Sequence, residues 1–242
     1  MRLMKRILSA AAVLALSASL LVGCSSGTAS SVPVSASSAA ESTVSSVEET
    51  ASSAVDENEA AAAQLLNDLT GSYQELWPVI LADEYKQTWL DDCTALVGEE
   101  NAEAAFEKLS SMVTSDVYGE DAVEAYANGG GAYFCGFTNS LATLTFDGET
   151  STISGTDKDG NVLFSHTYHY IGMEPVHGLY EFESDDADSG EFTYFFLAPD
   201  TSAETYHIEF RYGSDAEALS QYDAGEYAYW VASGISTDCD QL

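Results

Sequence analysis

The sequence predicts a β-rich α+β domain: several short helices followed by a small antiparallel barrel or strongly curved sheet. Three observations carry this. All 27 aromatic residues lie at or after Tyr73, so the core is built in the last 170 or so positions. The apolar spacing is helical up to about residue 127. Beyond Gly129–Gly131 it changes to a period of two, with Asp-Gly turn signals between runs.

The first 23 residues read as an address. Arg2, Lys5 and Arg6 form a basic start, and Ile7 to Val22 is apolar and uncharged, the layout of a secretory signal. The run is short for the roughly 20 residues of a membrane span. Leu21-Val22-Gly23-Cys24 fits a bacterial lipobox, in which the Cys24 thiol takes a diacylglyceryl group and becomes the mature N-terminus. This places the chain outside the cytoplasm, tied to the cell membrane by lipid. Residues 24–58 then read as a tether. Twelve of the 33 residues from 25 to 57 are Ser and none is aromatic, a composition that buries too little apolar area to offset its ordering entropy. As a flexible coil it reaches roughly 30 Å. The folded domain is expected over 59–242.

Within that domain, Glu59 to Leu69 is Ala-rich with Leu65, Leu66 and Leu69 on one helical face. Gly71 interrupts, and Tyr73, Leu76, Trp77 and Ile80 predict a second short helix containing Pro78. Trp89–Val97 and Ala102–Val113 follow as helices. Leu141–Phe146, Ser151–Gly155 and Val162–Tyr170 are strands joined by hairpin turns at Asp147–Gly148 and Asp157–Gly160. Leu179–Phe182, Phe192–Leu197 and Tyr206–Tyr212 complete six strands. Ser214–Gln221 reads as a capped helix, and Tyr227–Val231 as a last apolar segment.

Charge narrows the partners. After the basic start, only Lys86, Lys108, Lys158 and Arg211 oppose 40 acidic residues, a net charge of −36. Such a surface cannot neutralise phosphates, which excludes nucleic acid and anionic membrane faces as electrostatic partners and favours cations or basic surfaces.

Of the candidate chemistry, His207 and Glu209 stand out. On the strand Tyr206–Tyr212 they point the same way as Arg211, opposite to Ile208, Phe210 and Tyr212. Imidazole nitrogen beside carboxylate oxygen is half of a divalent-metal site; the bland alternative is a solvated face with a Glu209–Arg211 ion pair. His166 and His169, three apart, cannot share one face of a straight strand and read as solvent-facing or hydrogen-bonded side chains. His177 reads as a turn residue. Asp157, Asp159 and Asn161 resemble the opening of a calcium loop, but Tyr168 stands where the bidentate Glu is needed, so a hairpin turn explains them better. The acidic run from Glu181 to Glu191 reads as a solvated loop. Of the remaining cysteines, Cys93, Cys135 and Cys239 allow three pairings; Cys93–Cys135 is preferred, because Cys239 stands close to a chain end that frays. No nucleophile motif or phosphate loop is present, and the chain is expected not to be an enzyme.

The order of several motifs resembles the ZinT (YodA-like) domain family. Leu69-Thr70-Gly71-Ser72-Tyr73-Gln74-Glu75-Leu76-Trp77-Pro78 is similar to the family's opening, and Thr167-Tyr168-His169-Tyr170 and Gly178-Leu179-Tyr180-Glu181-Phe182-Glu183 follow its strand order. Phe192 to Gly213 is the strongest stretch, with Ala198–Pro199, then His207-Ile208-Glu209, then Gly213 before a short acidic helix. The resemblance covers about 170 residues. It implies a calycin-type, lipocalin-like antiparallel β-barrel that binds zinc through three histidines. One precedes the Ala–Pro pair and two form a His-x-His on the next strand. His207 matches the first of that pair, Glu209 replaces the second, and Phe195 occupies the slot of the third histidine. Glu204 or Asp200 in the intervening loop is a substitute ligand, and the family's His-rich tract is absent. The implied function is capture of a divalent metal such as zinc by His207, Glu209 and Glu204. The alternatives are a calycin-type binder of a small apolar ligand, suggested by Phe195 and the many rings, and a surface interaction module without a small ligand.

Overall fold

The computed structural model describes residues 57–199 and 207–239. The signal, lipobox Cys24 and most of the tether lie outside them, as do Asp200 and Glu204.

Residues 57–68 form helix α1. Strand β1 (Gly71–Glu75) follows, then the short helix α2 (Leu76–Ile80), α3 (Lys86–Val97), α4 (Ala102–Val113) and α5 (Glu120–Ala127). Seven further strands come next: β2 (Thr143–Asp147), β3 (Thr152–Thr156), β4 (Val162–Met173), β5 (Tyr180–Ser184), β6 (Tyr194–Leu197), β7 (His207–Gly213) and β8 (Ala232–Ser236). Helix α6 (Ala216–Leu219) lies between the last two. The eight strands pair antiparallel in sequence order and close into a barrel, β1 meeting β8 through Tyr73 opposite Ser236 and Glu75 opposite Gly234. Closure leaves no unpaired sheet edge. This is the calycin-like barrel behind short helices that the sequence predicts.

Two elements differ from that prediction. Tyr73 lies on a strand, not on a helix, because Gly71 to Glu75 alternates and turns the Tyr73 ring into the barrel core; the helix begins only at Leu76. The closing strand Ala232–Ser236 follows the apolar segment Tyr227–Val231 and is not predicted, since its small residues carry a weak apolar pattern.

Alternation divides the side chains into two cores. Phe146, Phe164, Tyr168, Phe182, Phe195, Phe210 and Tyr212 fill the inside of the barrel. Their rings touch: Phe164 stacks on Phe192 at 4.0 Å, and Phe195 lies 5.4 Å from Tyr212. Helix α1 adds Leu65, Leu66 and Leu69 to this core, and Gly148 lets the β2–β3 turn meet the α1 backbone, since a Cβ there would stand 2.4 Å from Asn67 Cα. The second core lies outside the barrel wall. There Leu76, Trp77, Ile80, Trp89, Val113 and Cys135 pack with Ile235 of β8. The Trp89 indole N–H donates to the Ile80 carbonyl at 2.7 Å and ties α3 to α2.

The three cysteines of the described residues are free, so the expected Cys93–Cys135 pairing is not formed. Cys135 belongs to the outer core with Cys239 packed against it, while Cys93 sits on α3.

Candidate functional site

The site is set by the registers of β6, β7 and β8. Leu197 lies opposite Phe210 and Phe195 opposite Tyr212, so these four share the inner face. His207 lies opposite Ile235 and Glu209 opposite Ser233, so the His-x-Glu pair shares the outer face with the helix-covered core. His207 is buried and Glu209 half-buried. His207 Nε2 stands 3.8 Å from Glu209 Oε1. That is too long for a hydrogen bond. It is near the roughly 3.4 Å that separates two donors about 2.1 Å from one tetrahedral ion.

The expected alternative of a Glu209–Arg211 ion pair does not occur. Arg211 is fully buried, and its guanidinium donates to the carbonyls of Leu219, Gln221 and Tyr227. It lies 4.2 Å over the Tyr222 ring. Burial lowers its pKa, and it pins the 219–227 segment to the barrel. Glu209 is therefore not paired with Arg211. Its neighbour is Cys135, whose thiol burial pushes up to about 12, with the Glu209 carboxylate adding to the rise. Cys135 is thus a neutral thiol beside the carboxylate, and a poor metal donor in that form.

The residues aligned with the family's ligands do not converge. Phe195 is inside the barrel and wholly buried among rings, while His207 and Glu209 face outward. Among the described residues, no three His, Cys, Asp or Glu side chains gather to hold a metal ion. The described residues therefore supply two donors, and Glu204 and Asp200 lie outside them.

The other histidines each meet a carboxylate, as expected for hydrogen-bonded side chains. His166 Nδ1 is 2.8 Å from Asp186 and His169 Nδ1 is 2.7 Å from Asp185. His177 lies 3.4 Å from Glu174 and packs on Tyr222 at 3.8 Å. Asp157 is consumed by its turn: its Oδ1 accepts from the N–H groups of Asp159 and Asn161, and its Oδ2 from the Asn161 amide. Those bonds, led by the Asn161 side chain, lower its pKa. The calcium-like spacing is thus a turn, as the sequence favours. Aromatic rings pack against one another in the interior of the barrel.

Sequence reasoning missed the outer-core environment of the pair. Cys135 and Ser233 come from segments with no motif; the β7–β8 register brings Ser233 beside Glu209, and the Ser233 N–H, donating to the Cys135 carbonyl, holds Cys135 there.

The chain matches no protein-family profile and no curated protein. Solved structures similar to it include two from one organism. One is the Zn(II)-bound ZinT-like domain of AdcA from Streptococcus pneumoniae, 17% identical, covering 72% of this chain and 84% of that domain at a TM-score of 0.44. The other is Zn(II)-bound AdcA from the same organism, 16% identical, with 72% of this chain covered at a TM-score of 0.42; this chain spans only 33% of it.

Proposed function

We propose that this chain is a lipid-anchored, extracytoplasmic capture protein for a divalent cation such as zinc. The supporting observation is the His207–Glu209 pair: a buried imidazole 3.8 Å from a carboxylate with which Arg211 does not pair. The imidazole nitrogen and the carboxylate oxygen are two of the ligands, and the loop carrying Asp200 and Glu204 is placed by sequence next to His207 to give a third. The metal is cargo. A net charge of −36 in the mature chain, from four basic and 40 acidic residues, concentrates cations near the site. Two protein donors with water give a weak site, and a third carboxylate a stronger one.

The experiment is thermal unfolding of the mature chain with and without zinc. Binding raises the melting temperature by mass action, about 2.7 kcal/mol when free metal is 100 times the dissociation constant. His207→Ala abolishes the shift and Glu204→Gln reduces it, while Lys158→Ala, on an exposed turn, leaves it unchanged. Zinc needs the imidazole without its proton, so the shift shrinks as the solution is acidified. A wild-type chain that shows no shift with zinc, manganese or calcium defeats the reading.

A further inference from the structure

A cleft that neither His207 nor Glu209 lines, though it shares Cys135 with the surroundings of Glu209, opens between α2, the end of α4 and the segment around Phe134. It has a volume of about 400 Å³, and Glu75, Trp77, Val113, Asp116, Phe134 and Cys135 are among the residues that line it. Aromatic side chains and carboxylates meet there.

Glu75 ends β1 and is half-buried. Its Oε1 accepts the Phe137 N–H at 2.6 Å, which fixes the carboxylate across 62 residues of sequence. Gly136 makes this possible: a Cβ there would stand 2.8 Å from Glu75 Oε1 and 2.6 Å from the Phe134 ring. The backbone is bare where the carboxylate and the ring approach it. Phe134 is held from behind by Tyr118, stacked at 5.4 Å. Trp77 is 6% exposed and belongs to the outer core, so its ring is fixed as well. Asp116 is exposed at the cleft, and neither it nor Glu75 has an ion-pair partner among the described residues.

A bare metal ion fits this lining poorly. Rings offer it no donor atoms, and no three ligating side chains gather among the described residues. An organic cation fits well. Its charge is met by carboxylates and by the negative faces of the rings, and its carbon body is desolvated against the same rings. We propose that this cleft binds an organic ammonium cation, with the positive head beside Glu75 and Asp116 and the apolar carbons against Trp77 and Phe134. The rigid rings and fixed carboxylate make the site largely formed before the ligand arrives, which lowers the ordering cost of binding.

The test is titration calorimetry of the whole mature chain with choline, against its uncharged isostere 3,3-dimethylbutan-1-ol. Choline is expected to bind at least about tenfold more tightly than the isostere, since only the charged head gains from carboxylates and rings. Glu75→Gln keeps an oxygen for the Phe137 N–H but removes the charge, and is expected to weaken choline about tenfold. Asp116→Asn, at an exposed position that leaves the fold intact, weakens it in the same direction. His207→Ala leaves choline binding unchanged, so the loss of zinc capture and the loss of this site are separable. Equal binding of choline and the isostere overturns the proposal. So does an affinity untouched by both carboxylate variants, or the absence of choline binding up to millimolar concentration. Should Glu75→Gln fail to fold, Asp116→Asn decides.

Discussion

Phe195 and His207 stand on opposite faces of one barrel wall. Phe195 lies opposite Tyr212 and enters the ring-packed interior, while His207 lies opposite Ile235 and meets the helix-covered core outside. The three positions that the family resemblance aligns with metal ligands are therefore split two to one. Whatever Glu209 and His207 bind, Phe195 is not a lapsed member of their site.

This makes a histidine at 195 informative. Phe195→His is expected not to raise zinc affinity, because the new imidazole sits inside the barrel behind the β6–β7 wall. It exchanges a wholly buried ring, in contact with Phe164, Tyr168 and Tyr212, for a smaller polar one. The loss of packing and the buried polar nitrogens cost about 2–4 kcal/mol. Urea unfolding measures the cost, and zinc titration of the same variant checks the affinity. A gain in zinc binding would mean that His207 faces inward.

The residue pattern carries the fold further than the site. Alternation in Val162–Tyr170 and His207–Tyr212 and the Asp-Gly turns specify strands and hairpins, since a period of two buries one face. Tyr73 is ambiguous, because Tyr73, Leu76, Trp77 and Ile80 also suit a helical stripe, and only pairing with β2 and β8 resolves Gly71–Glu75 as a strand. The pair His207–Glu209 is legible from spacing alone. Its environment is not. Arg211 looks like the natural partner of Glu209 on the same face, yet burial directs it to three carbonyls of the 219–227 segment, and these come from the chain's return to the barrel. Glu75, Gly136 and Phe134 meet through contacts more than 50 residues apart, for which the sequence holds no local signal.

The anchor is tested apart from the fold. Cys24 is the only thiol in the lipobox-like run, so Cys24→Ala removes the proposed site of acylation. The variant is expected to move from the detergent phase of Triton X-114 to the aqueous phase. A chain that stays with detergent after the substitution carries its membrane attachment elsewhere. Zinc binding is expected to be the same in both forms, because the tether separates residue 24 from the domain.

Stability should fall on the alkaline side, and Tyr222 and Cys135 are among the groups responsible. Burial pushes the Tyr222 phenol up to about 12, while the nearby Arg211 guanidinium acts in the opposite direction. The Cys135 thiol is likewise pushed up to about 12, by burial first and then by Glu209. In the unfolded chain these groups titrate near their ordinary values, about 10 for tyrosine and 8.5 for cysteine. Both raised groups are acids whose protonated form the fold prefers. The folded state therefore holds protons that the unfolded state has released, and unfolding free energy falls as pH rises. The contribution is whole below the unfolded pKa. It is lost from about pH 8.5 for Cys135 and about pH 10 for Tyr222, up to about 12, at no more than about 1.4 kcal/mol per unit for each group. Tyr222→Phe removes one of the two groups but keeps the ring beneath Arg211 and beside His177. Between pH 10 and 12 its urea midpoint is expected to fall less steeply than that of the wild type. Parallel curves for the two proteins would show that the Tyr222 hydroxyl is not held protonated by the fold.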